Sequence, residues 1–132
     1  MLTVKSPLDD ATERLVEQII GCCLAVHRQL GPGLLESIYR RAIAIELAEE
    51  GCAFETEKPV PVMYRGQLLC HQRLDIVVEA AVLLEIKAVE RLAPIHHAQV
   101  LSYLRISRSL RIGLLMNFNT PALPRGLKRI VL

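Results

Sequence analysis

The chain has 132 residues, of which 52% are apolar and 23% charged, and it carries a net charge of +2 at neutral pH. This composition excludes a disordered chain, and an aromatic content of only 4% excludes a long base-stacking surface. We therefore expect a single domain over residues 1–132 with a mostly aliphatic core, and a polyanionic partner is permitted without being required.

The N-terminal segment has acidic residues and no apolar run, which argues against a secretion signal. No apolar stretch approaches the roughly 20 residues that a membrane-spanning helix needs. The four cysteines form neither a CxxC pair nor a zinc pattern with the histidines. The sequence thus predicts a cytoplasmic protein that does not enter a membrane.

Two helices are predicted in the first third of the chain. Apolar residues recur at helical spacing up to Gly31, namely Leu15, Ile19, Cys22, Val26 and Leu30. A second helix follows Gly33 and ends near Gly51, and we expect its buried stripe to be Leu35, Ile38, Ala42 and Ile45.

Strands dominate the rest of the chain. Pro59 and Pro61 predict an edge strand over residues 59–64, because proline cannot donate to a strand on both sides. A turn at Arg65-Gly66 leads to residues 67–70, and central strands are expected over 73–78 and 82–88. A third helix over 95–107, a buried strand over 112–117, a loop over 119–126 and a short strand over 128–132 complete the order. This order predicts an α/β fold with one mixed β-sheet flanked by helices.

The two central strands carry the residues of greatest chemical interest. If residues 79–81 form the connecting loop, Val78 lies opposite Val82 and Asp75 lies opposite Glu85. Glu85 and Lys87 share a face because side chains alternate along a strand, and the neighbours predicted to point the other way are Leu74, Ile76, Leu84 and Ile86. A two-residue loop would shift this register.

Two carboxylates and one ammonium group in so apolar a segment need an explanation, because unpaired buried charges are costly. A Mg²⁺ ion bound by Asp75 and Glu85 would provide one, with water and a phosphate completing its octahedron. Lys87 would then orient the attacking water or stabilise the transition state. The alternative is a solvated strand face with an ordinary Glu-Ile-Lys pattern.

Further candidates lie on the helices. Glu36 and Tyr39 share a face of the second helix, and His96, Gln99 and Tyr103 form a polar stripe on the third at i, i+3 and i+7. Each also has a structural alternative. Glu36 could interact with the helix dipole, Tyr39 could be a core ring, and the stripe could face solvent.

Taken together, several sequence blocks resemble one family. These blocks, in chain order, are LGPGLLESIY, QRLDIVVE, LLEIKAVE, HHAQVLSYLR, GLLMNF and GLKRIVL. The first contains the GxxExxY signature, so the chain resembles the GxxExxY proteins of the PD-(D/E)XK nuclease superfamily, and the resemblance covers about 100 residues from Leu30 onward. It implies a restriction-endonuclease-like fold.

The resemblance also implies roles for individual residues. The equivalents of Asp75 and Glu85 hold Mg²⁺ in this superfamily and the equivalent of Lys87 assists catalysis. In its RecB-like exonucleases a helical residue like Glu36 adds to the metal site, and residues like Gln99 and Tyr103 support the site and the DNA. We expect Tyr39 and His96 to contribute to substrate binding or support. Two positions depart from the pattern: relatives usually have an aromatic residue at Gln72 and an acidic one at His97.

The sequence therefore predicts a Mg²⁺-dependent phosphodiesterase that cleaves nucleic acid, with DNA favoured over RNA and Mn²⁺ as a possible substitute ion. Two alternatives stay open: a catalytically inactive nucleic-acid-binding or assembly module of the same fold, and an RNA nuclease. We also expect a homodimer, since cyclic dimers are the commonest oligomers. A protein partner that supplies sequence specificity is a further possibility.

Overall fold

The computed structural model describes residues 7–132. The expectation that the N-terminal segment is not a secretion signal falls partly on residues 1–6, which lie outside this range. The elements in chain order are α1 (Asp10–Leu30), α2 (Glu36–Glu49), β1 (Phe54–Tyr64), β2 (Gln67–Val78), β3 (Val82–Lys87), α3 (Pro94–Ser107), β4 (Ile112–Asn117), a 3₁₀ turn (Leu123–Gly126) and β5 (Leu127–Val131).

The five strands form one mixed sheet in the order β1-β2-β3-β4-β5. Neighbours are antiparallel except for β3 and β4, which are parallel and are connected through α3. Helices α1 and α2 pack on one face over a core that includes Ile76 and Leu84, and α3 packs on the other over a core that includes Leu83 and Leu115. The predicted α/β fold with a mixed sheet between helices is confirmed.

Helix α1 begins at Asp10 and ends at Leu30, directly before Gly31, where the sequence predicts its end. The Asp9 carboxylate accepts a hydrogen bond from the backbone N–H of Thr12 at 2.7 Å and caps the helix. Gly31 ends it with a φ of 68°, a conformation that favours glycine. The adjacent Cys22 and Cys23 are buried and unpaired, as expected for reduced cysteines in a core. Within residues 7–132, no helix is long and apolar enough to span a membrane.

The predicted buried stripe of α2 is wrong except at Ala42, which is partly buried and packs against the core. Leu35, Ile38 and Ile45 are 71%, 40% and 65% exposed, whereas the residues that enter the core are Tyr39, Ile43 and Leu47. Both sets recur at helical spacing, so periodicity alone could not distinguish them. With this face of α2 buried, Glu36 contacts the end of β3 and Arg40 contacts the middle of β2.

The hairpin of β1 and β2 is longer than predicted. Residues 67–70 and 73–78 belong to one continuous strand, and β1 is an edge strand as expected but starts at Phe54. Glu57 has a φ of 50° and interrupts the pairing opposite Asp75, although the register is the same on both sides of the break.

The regular alternation of side chains fails beside this break. Ile76, Leu84 and Ile86 share the α1–α2 core as predicted. The prediction for Leu74 is wrong, because Leu74 lies in the core beneath α3. The change coincides with the irregular backbone of Glu57 opposite Asp75, and simple alternation holds only in an uninterrupted strand.

Candidate active site

Asp75 and Glu85 lie where β2 and β3 separate. The antiparallel register runs from Val78–Val82 to Ile76–Leu84 and stops there. Beyond it, the carboxylates replace backbone carbonyls as hydrogen-bond acceptors. Glu85 Oε1 accepts from the backbone N–H of Asp75 at 3.1 Å, and Asp75 Oδ2 accepts from the backbone N–H of Ile86 at 2.9 Å. The predicted opposition of the two acids is therefore present, but it is made by side chains in a gap between the strands.

Glu85 is the only acidic residue among residues 7–132 that is classed as buried, with 4% of its surface exposed. Burial and, to a smaller extent, the nearby charge of Asp75 raise the pKa of this carboxyl to about 8, although the hydrogen bond from the Asp75 backbone N–H and the charge of Lys87 oppose the shift. Two carboxyl groups in a poorly solvated gap repel when both are ionised. Additional positive charge in the gap would therefore stabilise the ionised form of Glu85.

We call the gap, together with the side chains that α2 and α3 bring to it, the cleft. Helix α3 supplies one wall of the cleft. The Lys87 ammonium donates to Gln99 Oε1 at 3.4 Å, and Gln72 Nε2 donates to the Tyr103 hydroxyl at 3.2 Å. Burial raises the pKa of Tyr103, and the charges of Glu85 and Asp75 add to the effect. The structure therefore brings Gln99 and Tyr103 to the side of the cleft that carries Lys87. Gln72, which departs from the family pattern, contacts Tyr103 directly.

Helix α2 forms the opposite wall. Glu36, its first residue, accepts a hydrogen bond from the backbone N–H of Ala88 at 3.3 Å, directly after Lys87. Tyr39 is fully buried and holds the preceding loop. Its hydroxyl donates to the Gly31 carbonyl at 2.6 Å and accepts from the backbone N–H of Leu34 at 3.1 Å. Tyr39 thus supports the loop that leads to Glu36 and is not exposed to a substrate.

Arg40 is a cleft residue that the sequence analysis missed. Its guanidinium lies 3.5 Å from Asp75 Oδ1 and 3.8 Å from Glu57 Oε1. It stands one helical turn after Glu36, and that spacing was the only sequence signal for it. Arg40 supplies positive charge to Asp75 from the α2 side, as Lys87 does to Glu85 from within β3.

This arrangement agrees with a family comparison. A model of the PD-(D/E)XK nuclease superfamily matches residues 13–130 of the chain. The chain belongs to the PD-(D/E)XK nuclease superfamily. No curated protein and no solved structure gives a significant match to it. The superfamily prediction made from the sequence is thereby confirmed.

The residues of this PD-(D/E)XK site fit a hard divalent cation. Asp75 and Glu85 offer carboxylate oxygens, the ligands that such ions prefer, and one or two carboxylates are enough when water and phosphate complete the shell. The raised pKa of Glu85 shows that a positive charge in the gap would be favourable. No cluster of three or more acidic, histidine or cysteine side chains within residues 7–132 has metal-binding geometry. Asp75 and Glu85 are therefore a pair, and Glu36 reaches the neighbouring backbone at Ala88.

Two polar residues near the PD-(D/E)XK cleft organise its loops. His96 Nδ1 accepts a hydrogen bond from the backbone N–H of Ala93 at 2.9 Å and so caps α3. Asn117, which the sequence analysis did not select, is buried and makes two hydrogen bonds with the backbone of Val89, at 3.0 and 2.8 Å. Both residues fix the segment between β3 and α3. Their visible role is structural.

Proposed function

We propose that this member of the PD-(D/E)XK superfamily is a Mg²⁺-dependent phosphodiesterase that cleaves nucleic acid, with DNA as the favoured substrate and Mn²⁺ as a substitute ion. The observation that carries the proposal is the gap at the end of the β2–β3 ladder. There a buried carboxyl with a raised pKa lies beside a second carboxyl, with a lysine two residues along the same strand. This arrangement suits a cation and an anionic substrate better than it suits the metal-free fold.

In this proposal Asp75 and Glu85 are the metal ligands. A Mg²⁺ ion held by these two carboxylates would supply Lewis acidity to the scissile phosphate and to the attacking water. Asp75 and Glu85 position that chemistry because each is also held by a backbone N–H of the opposite strand. Lys87 contributes a positive charge for the water or for the developing charge on phosphorus. Gln99 keeps the Lys87 ammonium on this side of the cleft.

The two walls have different proposed roles. Glu36 uses Oε1 to hold the backbone of Ala88, and we propose that Glu36 joins the metal shell through its other oxygen or a bound water. Gln99 and Tyr103 face the substrate from α3, whereas Tyr39 and His96 act by supporting the loops.

The Gly33-Glu36-Tyr39 spacing supports a narrower placement among the GxxExxY proteins.

One observation favours a second candidate, a binding or assembly module without catalysis. Arg40 forms an ion pair with Asp75, and a salt-bridged carboxylate is a weaker metal ligand. If Arg40 keeps Asp75 from the ion, the cleft would retain nucleic-acid binding and lose its chemistry.

Thermal melting with and without millimolar Mg²⁺ or Mn²⁺ separates the two candidates. An ion that binds only the folded chain raises its melting temperature by mass action. We expect the wild type to show this rise, Asp75→Asn to lose most of it, and Lys87→Ala to retain it. Asp10→Asn is the matched control, because Asp10 is exposed and lies on α1.

Cleavage is measured on labelled single-stranded DNA, double-stranded DNA and RNA with the same variants. We expect both Asp75→Asn and Lys87→Ala to abolish turnover. A wild type whose melting temperature does not respond to either ion would favour the inactive module. Cleavage of RNA alone would leave the metal site in place and replace the proposed substrate.

A further inference from the structure

A polar groove lies beside the cleft, and apart from the structural role of Asn117 none of the roles assigned above involves it. Residues 90–92 line one side, and residues from Asn119 to Lys128 line the other. We call it the loop groove. Its lining includes three cationic side chains, Arg91, Arg125 and Lys128, and one carboxylate, Glu90. This excess of two positive charges in one groove equals the net charge of the whole chain.

The three cations are available to a ligand. All three are exposed, and none makes an ion pair or a side-chain hydrogen bond with another residue of the described chain. By contrast, Arg129, the neighbour of Lys128, is held by two hydrogen bonds to Glu13. Unpaired lysine and arginine side chains that line one groove are the usual means of binding a phosphate backbone.

The loop groove is built against the catalytic strand. Asn117, which also lines it, is the register partner of Lys87 across β3 and β4. Its side chain holds Val89, and the segment that begins at Ala88 in the cleft continues into the groove at Glu90. On the other side, Gly126 packs so closely on the Asn117 carbonyl that a Cβ atom would collide with it. These contacts fix the position of the groove relative to Lys87.

We propose that the loop groove binds the phosphate backbone of the nucleic acid next to the point of cleavage. The proposal rests on the proposed function, because it takes the cleft as the place where the strand is cut. Contacts of this kind hold the strand in register and carry no sequence information. The low aromatic content of the chain agrees with recognition through phosphates rather than through stacked bases.

The test compares two triple variants that remove the same charge. One is Arg91→Gln with Arg125→Gln and Lys128→Gln. The control is Arg14→Gln with Arg105→Gln and Arg111→Gln. All three control positions are exposed, Arg14 and Arg111 lie near Asp9 at the start of α1, and Arg105 is in the last turn of α3. Binding of a labelled oligonucleotide is followed by fluorescence anisotropy over a range of salt concentrations, in EDTA so that no cleavage occurs.

We expect the groove variant to bind at least about tenfold more weakly than the control. Its slope of log affinity against log salt should fall by roughly 2, since each lost phosphate contact to a single strand removes about 0.7. Equal weakening in both variants, unchanged binding in the groove variant, or no binding by the wild type would overturn the proposal.

Cleavage in Mg²⁺ keeps this proposal distinct from the proposed function. A wild type that binds through the groove but does not cut would contradict the nuclease and leave the groove intact. A wild type that cuts, with KM unchanged in the groove variant, would contradict the groove alone.

Discussion

Glu85 lowers the stability of the metal-free fold at neutral and alkaline pH. Its pKa is about 8 in the folded chain against 4.5 for an ordinary glutamate. Below about pH 4.5 both states hold the proton and there is no penalty. Between about pH 4.5 and pH 8 the unfolded chain ionises freely, whereas the folded chain must keep the proton or bury a charge. Stability therefore falls as the pH rises through this window.

Glu85→Gln should remove this pH dependence, because glutamine stays neutral and retains an acceptor for the Asp75 backbone N–H. We expect the variant to be more stable than the wild type at pH 9 by on the order of a few kcal/mol, and to match it near pH 4. Urea denaturation without metal measures the difference. Glu17→Gln on the exposed side of α1 is the control. A gain of equal size at every pH would contradict the assignment.

In the proposed metal site, Arg40 and the ion would compete for Asp75. The ion pair is partly buried, with side-chain exposures of 20% for Arg40 and 21% for Asp75. Breaking such a pair to admit an ion should cost about 0.5–1 kcal/mol. Arg40→Gln should therefore bind Mn²⁺ about two- to fivefold more tightly. Titration calorimetry checks this, with the exposed neighbour Arg41→Gln as the control. Weaker binding in Arg40→Gln would show that Arg40 supports the metal site.

At the level of elements, α2 shows why hydropathy located the helix but not its buried side. Its outer face carries Leu35, Ile38 and Ile45, and its inner face carries Ile43 and Leu47. Both faces satisfy a helical period, so local pattern gave no preference. The face that is buried includes Tyr39, whose ring stacks on the ring of Phe118 with 4.7 Å between their centroids. Phe118 lies far away in the sequence. A long-range contact of this kind has no local signature.

At the site, the β2–β3 hairpin likewise combines features that a local sequence pattern predicts with features that depend on contacts between elements. The loop over residues 79–81 and the opposition of Val78 and Val82 are local, and the sequence predicted both correctly. The break at Asp75 is not local, because it accompanies the left-handed conformation of Glu57 on the neighbouring strand. Strand alternation predicted the shared face of Glu85 and Lys87, and helical spacing predicted the polar stripe that brings Gln99 to Lys87. Arg40 was missed because its role depends on contacts with other elements.

On the scale of the whole molecule, most of the large exposed apolar residues among residues 7–132 collect in two places. One is the outer face of α2, where Leu34 and Leu35 line the same hollow as Glu36 and so belong to the mouth of the cleft. The other is the tip of the β1–β2 hairpin, where Met63, Tyr64, Leu68 and Leu69 are each more than half exposed. Exposed apolar clusters of this kind mark interaction surfaces in proteins.

The hairpin tip is the better place for the homodimer that we expect, because it leaves the cleft open to nucleic acid. Pro59 and Pro61 lack the N–H groups that a strand joining the edge of β1 would require, so the contact must be made by side chains.

We expect the wild type to sediment as a dimer at tens of micromolar, about the range in which a weak interface forms. Leu68→Lys should sediment as a monomer, because it places a charge in an apolar contact. Ile45→Lys, at a similarly exposed position on α2, should remain dimeric. A monomeric wild type would contradict the dimer, and dissociation by Ile45→Lys alone would move the interface to α2.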